Sequence, residues 1–124
     1  MGMQDNTSEL QTLHRVIGNQ AIASWRFAKA FSRLAAAADA DQQLRYESQL
    51  RWFNRTVREN LIAAEMNLVD HEGQTYDTGM AVQAVNADEF AGGDHLVVDQ
   101  MLEPIIVWNG NVIHTGIVTV KKAT

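Results

Sequence analysis

The chain contains no cysteine. A disulfide scaffold, a thiolate zinc site and a cysteine nucleophile are thereby excluded. The composition suits a reducing compartment, so the expected location is the cytoplasm. No apolar run approaches the roughly 18 residues that span a bilayer, so no membrane partner is expected. The first residues show no basic stretch followed by an apolar one, and no leader is expected. Basic residues are scarce in the second half. Residues 67–124 hold two lysines against eight acids, a net −6, whereas residues 1–66 hold eight Arg or Lys against seven acids, a net +1. An acidic half repels phosphate backbones, so no nucleic-acid partner is expected.

The signatures of catalysis are missing too. The histidines at positions 14, 71, 95 and 114 form no H-x-x-x-H or H-E-x-x-H frame, and no metal site is expected. There is no G-x-S-x-G nucleophile elbow, no G-x-x-x-x-G-K phosphate loop and no G-x-G-x-x-G. Asp88-Glu89 reads as a solvated turn pair. No catalytic residue and no cofactor are expected, which points to a binding or adaptor role.

What is present divides near residue 68. Before it there is no proline and glycine occurs at Gly2 and Gly18; after it come Gly73, Gly79, Gly92, Gly93, Gly110, Gly116 and Pro104. Helix formers dominate the first part and β-branched residues the second. Asn6 and Glu9 have capping-box spacing, which predicts a helix start near Asn6. Leu10, Leu13, Ile17, Ala21, Trp25, Ala28, Phe31 and Ala35 then recur at three- and four-residue steps, one face of a helix ending around Ala38 to Asp41. Asp39 or Asp41 can cap a second helix. That helix carries Tyr46, Leu50, Phe53, Val57, Leu61, Ala64 and Leu68 on one face, with Arg45, Arg51, Arg55 and Arg58 on a solvated one. A hairpin with this much aromatic surface covers it best as a dimer closing into a four-helix bundle; the alternative is that the β half folds over it.

The remainder reads as β. Strands are predicted at Met80–Val85, His95–Leu102, Ile105–Trp108 and Val112–Val120, with a loop at Gly73–Gly79 and a turn at Ala87–Asp94. Asn109-Gly110 is a type I′ hairpin signal. Gly116 interrupts the last strand and marks a bulge or a close backbone approach.

Several of these segments resemble the β-domain of GrpE, the nucleotide exchange factor of DnaK-type chaperones. Asn109-Gly110-Asn111-Val112-Ile113-His114-Thr115-Gly116-Ile117-Val118-Thr119-Val120-Lys121-Lys122-Ala123 is similar to the family's last hairpin and its valine-rich final strand. Gly73-Gln74-Thr75-Tyr76-Asp77 is similar to its loop, Gln83-Ala84-Val85 to the strand that follows, and Asp94 to Leu102 to the next one. Phe27 to Leu34 resembles the start of its bundle helices. The resemblance covers roughly residues 20–123. It departs at Thr78, Ile105-Ile106, Asn111 and His114. The last two stand where the family commonly places arginines, suited to a bidentate pair with a carboxylate on the chaperone.

The resemblance implies an α+β homodimer, with residues 1–68 as a helical dimerisation region and 69–124 as a GrpE-like β-domain. It implies a co-chaperone that binds a DnaK-type ATPase domain and promotes ADP release. Leu102 and Val120 would then supply apolar contact, with Asn111 and His114 at the polar edge. The alternative is a dimeric adaptor that keeps the fold without exchange activity; a small enzyme or ligand-binding domain in the β half is a third.

Overall fold

The computed structural model describes residues 2–123, with side chains from Thr7 onward. The chain is α+β, two helices followed by a small unit of six strands. It divides into two compact units, Met1–Asn67 and Leu68–Thr124.

The first unit is an antiparallel helical hairpin. Helix α1 (Gly2–Ala36) and helix α2 (Ala40–Ala63) are joined by a tight reversal in which the N–H groups of Ala37 and Ala38 donate to Leu34 and Ala35. The expected start of α1 at Asn6 is corrected: the helix begins at Gly2, so Asn6 lies inside it. Three-residue spacing is a neighbour relation anywhere on a helix and does not by itself mark an end. The Asn6 side chain is outside the described ones. Asp39 occupies the N-cap of α2, but its carboxylate makes no cap hydrogen bond.

Small residues bring the helices together. Ala21, Ala28 and Ala35, seven residues apart on α1, are buried to 4 %, 7 % and 2 % exposure. Larger side chains interlock beside them: Phe31 meets Tyr46 edge-on at 5.8 Å between ring centroids, and Phe27 meets Phe53 at 6.4 Å. Each such pair contributes about 1 kcal/mol beyond its buried area.

The second helix stops earlier than its periodicity predicts. Leu68 belongs to strand β1 (Met66–Val69), not to the helix. Glu65 takes a left-handed conformation (φ 60°), and its N–H closes the helix end on Ile62. Leu61, Ala64 and Leu68 keep helical spacing, so the pattern alone does not reveal the break.

The other strands are β2 (Val82–Ala84), β3 (Leu96–Glu103), β4 (Ile105–Trp108), β5 (Asn111–His114) and β6 (Gly116–Lys122), with a short 3₁₀ turn at Ala87–Glu89. They form two three-stranded sheets, ordered β1-β4-β5 and β2-β6-β3. Asn109 (φ 51°) and Gly110 (φ 82°) make the positive-φ pair of the β4–β5 turn. The predicted strand Val112–Val120 is corrected to two strands in different sheets, β5 and β6.

β6 is the spine of the second sheet, parallel to β2 and antiparallel to β3, with Val118 and Val120 buried beside Val98 and Met101. Gly116 enters this strand at a close approach. A Cβ there would lie 2.7 Å from Met101 Cε and 3.0 Å from both the Glu103 carbonyl oxygen and Ile105 Cγ1. A side-chain amide closes the far end of the strand. Asn86 accepts from the Val120 N–H at 2.8 Å and donates to the Val120 carbonyl at 2.9 Å.

Two stability predictions follow from these atoms. Gly116→Ala pushes a methyl group against backbone and is expected to cost roughly 1–3 kcal/mol, read as a lowered urea midpoint. Asn86→Ala leaves both Val120 backbone groups without their partner and is expected to cost about 1–3 kcal/mol. Asn86→Asp keeps an acceptor but no donor, so its midpoint is expected between those of wild type and Asn86→Ala.

Candidate functional site

Irregular pairing shapes the surface of the strand unit. On β3 the register against β6 slips twice, leaving Asp99 and then Leu102 as extra residues; on β5 the register against β4 slips once, leaving Ile113. A bulge sets two residues against one and re-aims the side chains beside it. Leu102 and Ile113 are accordingly 39 % and 40 % exposed, and Val112, next to the β5 bulge, is 49 % exposed.

A hydrogen bond ties these two places together. His114 Nε2, on β5, lies 2.9 Å from Oε1 of Glu103, the residue after Leu102 on β3. Both side chains are partly exposed, at 34 % and 24 %. The bond becomes an ion pair when the imidazole carries a second proton. It bridges the edge strand of one sheet to the end of a strand in the other.

The surface so defined has an apolar part, Leu102, Val112 and Ile113, and a polar rim, Glu103, His114 and Asn111. Asn111 follows the turn and is exposed, its amide donating to the Asn109 carbonyl at 3.5 Å. Of the four residues singled out from sequence, Leu102, Asn111 and His114 belong to this surface. Val120 does not: at 2 % exposure it is a core residue of β6, so its side chain has no face to offer a partner. Glu103, Val112 and Ile113 were not singled out. Their exposure depends on bulge positions, which leave no mark in an alternating apolar run.

The backbone edges nearby differ in their availability. The outer edge of β3 is covered by residues 73–76: the Gly73 N–H donates to Val98, the Val98 N–H to Gln74 and the Tyr76 N–H to Leu96. Glu72 Oε2 accepts from the Met101 N–H at 3.0 Å, extending the cover. β5 ends its sheet, and among the described residues no segment pairs with its outer edge. The strand is four residues long and bulged, which blunts it against adding another strand.

A second exposed face lies on the helical hairpin. Leu10, Leu13 and Ile17, expected on the packed side of α1, are 50 %, 56 % and 36 % exposed. They join Val16 (54 %), Phe27 (64 %), Leu34 (73 %) and, on α2, Trp52 (56 %). Phe27, Phe31, Leu50, Trp52 and Phe53 line a notch of about 150 Å³ between the helices. The arginines 45, 51, 55 and 58 are all exposed.

Among the described residues, no group of three or more His, Asp or Glu could hold a metal ion. No described helix is long and apolar enough to cross a membrane. Compared with protein-family models, curated proteins and solved structures, the chain matches none.

The exposed apolar residues of the strand unit generate a direct prediction. Leu102→Asp combined with Ile113→Asp is expected to lower stability by roughly 1–3 kcal/mol without unfolding the strand unit, because each residue is more than half covered yet outside the core. Equilibrium urea unfolding checks it.

Proposed function

We propose that this protein is a GrpE-like co-chaperone that binds the ATPase domain of a DnaK-type chaperone in the cytoplasm and promotes ADP release. The observation that carries the proposal is the resemblance of Asn109–Ala123 to the family's last hairpin and final strand. Support comes from the architecture, a helical hairpin followed by two small sheets. The exposed set Leu102, Val112 and Ile113, rimmed by Asn111 and the His114–Glu103 pair, is of a kind that fits a protein partner. A binder of this type needs no covalent chemistry. It speeds ADP release by binding the open ATPase domain more tightly than the nucleotide-bound one, since only differential affinity shifts that equilibrium.

In this reading the helical hairpin dimerises into a four-helix bundle. Phe27 and Trp52, both more than half exposed beside one notch, support it.

A specific observation favours a second reading, a dimeric adaptor of the same fold without exchange activity. At one position where the family carries a partner-facing arginine, His114 is engaged within the chain by Glu103.

Release of a fluorescent ADP analogue from the host's DnaK-type ATPase domain tests the proposal. The expected result is faster release at micromolar co-chaperone, with at least tenfold weaker binding, about 1.4 kcal/mol, for the Leu102→Asp, Ile113→Asp double variant. Binding without faster release supports the adaptor. Neither binding nor faster release with any such chaperone of the host overturns both readings.

A further inference from the structure

The outer face of α2 carries a cationic stripe. Leu44, Ser48, Arg51, Arg55, Arg58 and Ile62 recur at steps of four, three, four, three and four, and all six are exposed. At about 100° per residue they fall within roughly 80° of the helix circumference. They lie about 150° around from the side that packs on α1, where Tyr46 meets Phe31 and Phe53 meets Phe27. The stripe runs about 27 Å. Its middle is three arginines and its ends are apolar, Leu44 at 70 % and Ile62 at 56 % exposure. Like charges at three- and four-residue spacing weaken a helix, so this row costs α2 stability. Glu47 and Glu59 stand four residues from Arg51 and Arg55, yet among the described residues none of the three arginines forms an ion pair. Glu47 accepts from the Gln43 amide at 3.3 Å instead.

We propose that this face docks an acidic helix of a second protein, one that carries three carboxylates at matching steps between two apolar side chains. The face is separate from the strand surface described above, and the proposal does not rest on the chaperone reading. Every cation of α2 is an arginine. The planar fork of arginine pairs with a carboxylate through two parallel hydrogen bonds, where lysine offers only a point charge. A row of arginines along one helix is met by a row of carboxylates at the same period on another, as charged side chains pair across helices that lie side by side. Leu44 and Ile62 then add apolar contact at either end. Two features favour a protein helix over an extended polyanion. The arginine row is short and closed at both ends by apolar side chains, whereas a phosphate backbone or an anionic lipid surface is met by cations throughout. The chain as a whole carries −5, so a long polyanion is repelled by the rest of the molecule once it leaves the stripe. A second copy does not supply the match. Its α1 holds two acids, Asp5 and Glu9, and the acids of its α2, Asp41, Glu47 and Glu59, make no row at three- or four-residue steps.

Two synthetic helical peptides of about 20 residues, long enough to cover the stripe, serve as probes. One places Glu opposite Arg51, Arg55 and Arg58 and Leu opposite Leu44 and Ile62. The other has the same composition with its Glu residues scattered around the helix. Fluorescence anisotropy of the labelled peptides with the full chain gives the dissociation constants. The matched peptide is expected to bind at least tenfold more tightly than the scattered one, about the tenfold step that one good charged pair supplies. The triple variant Arg51→Gln, Arg55→Gln, Arg58→Gln is expected to lose that difference while keeping its helicity by circular dichroism, because all three side chains are exposed. The triple Arg→Lys variant keeps the charge and is expected to bind the matched peptide about threefold more weakly than wild type. Equal binding of the two peptides by wild type overturns the matched row, and wild-type affinity in the Lys variant overturns the role of the arginine fork. Tighter binding of single-stranded DNA or of phosphatidylserine vesicles than of the matched peptide assigns the face to a polyanion and overturns the protein partner. A self-association of wild type that the Gln variant loses in sedimentation assigns the face to a second copy and overturns it as well.

Discussion

The strand unit depends on a missing side chain at Gly116. The chain passes between the two sheets three times, and two of these passages are single residues, Pro104 between β3 and β4 and Thr115 between β5 and β6. The two passages meet at Gly116, where the space a Cβ would need is taken by Met101, by the Glu103 carbonyl and by Ile105. Only a residue without a Cβ lets one passage lie against the other. Pro104, buried in the same corner, has no N–H to satisfy there.

The proposed partner surface is a consequence of that crossing. Glu103 and His114 are the last residues before each passage, so they end up 2.9 Å apart. The bulges at Leu102 and Ile113 lie just outside them and turn apolar side chains outward. The segment at 73–76 then covers most of the β3 edge, so the available surface is made of side chains rather than unpaired backbone. A surface of that sort suits recognition by shape and apolar area more than by added strands.

The helical unit solves a different problem. A hairpin of two amphipathic helices covers one stripe on each, and large apolar side chains of α1 remain exposed. Its alanine stripe allows close approach to α2, while Leu13, Val16, Phe27 and Leu34 stay more than half exposed. The set that starts at Leu10 keeps to one stripe, yet its first members Leu10, Leu13 and Ile17 are exposed while Ala21, Ala28 and Ala35 are buried.

Local signals were enough for much of the architecture. The α+β order, the β4–β5 turn at Asn109-Gly110 and a close approach at Gly116 follow from residue types whose backbone preferences hold in any context. The end of α2 at Ala63, the division of β5 from β6 and the burial of Val120 do not follow from them. Helical and strand periodicities overlap at Leu68, and the strand from Val112 to Val120 reads as one run because a change of sheet alters partners without altering residue type. Exposure at Leu102, Val112 and Ile113, and the pairing of His114 with Glu103, depend on register between strands distant in sequence. Sequence by itself therefore determined the order, helices first and strands after, and the turn at Asn109-Gly110, since those preferences are local. Only the tertiary structure decided which apolar side chains face outward, because that is settled by where one strand slips against another.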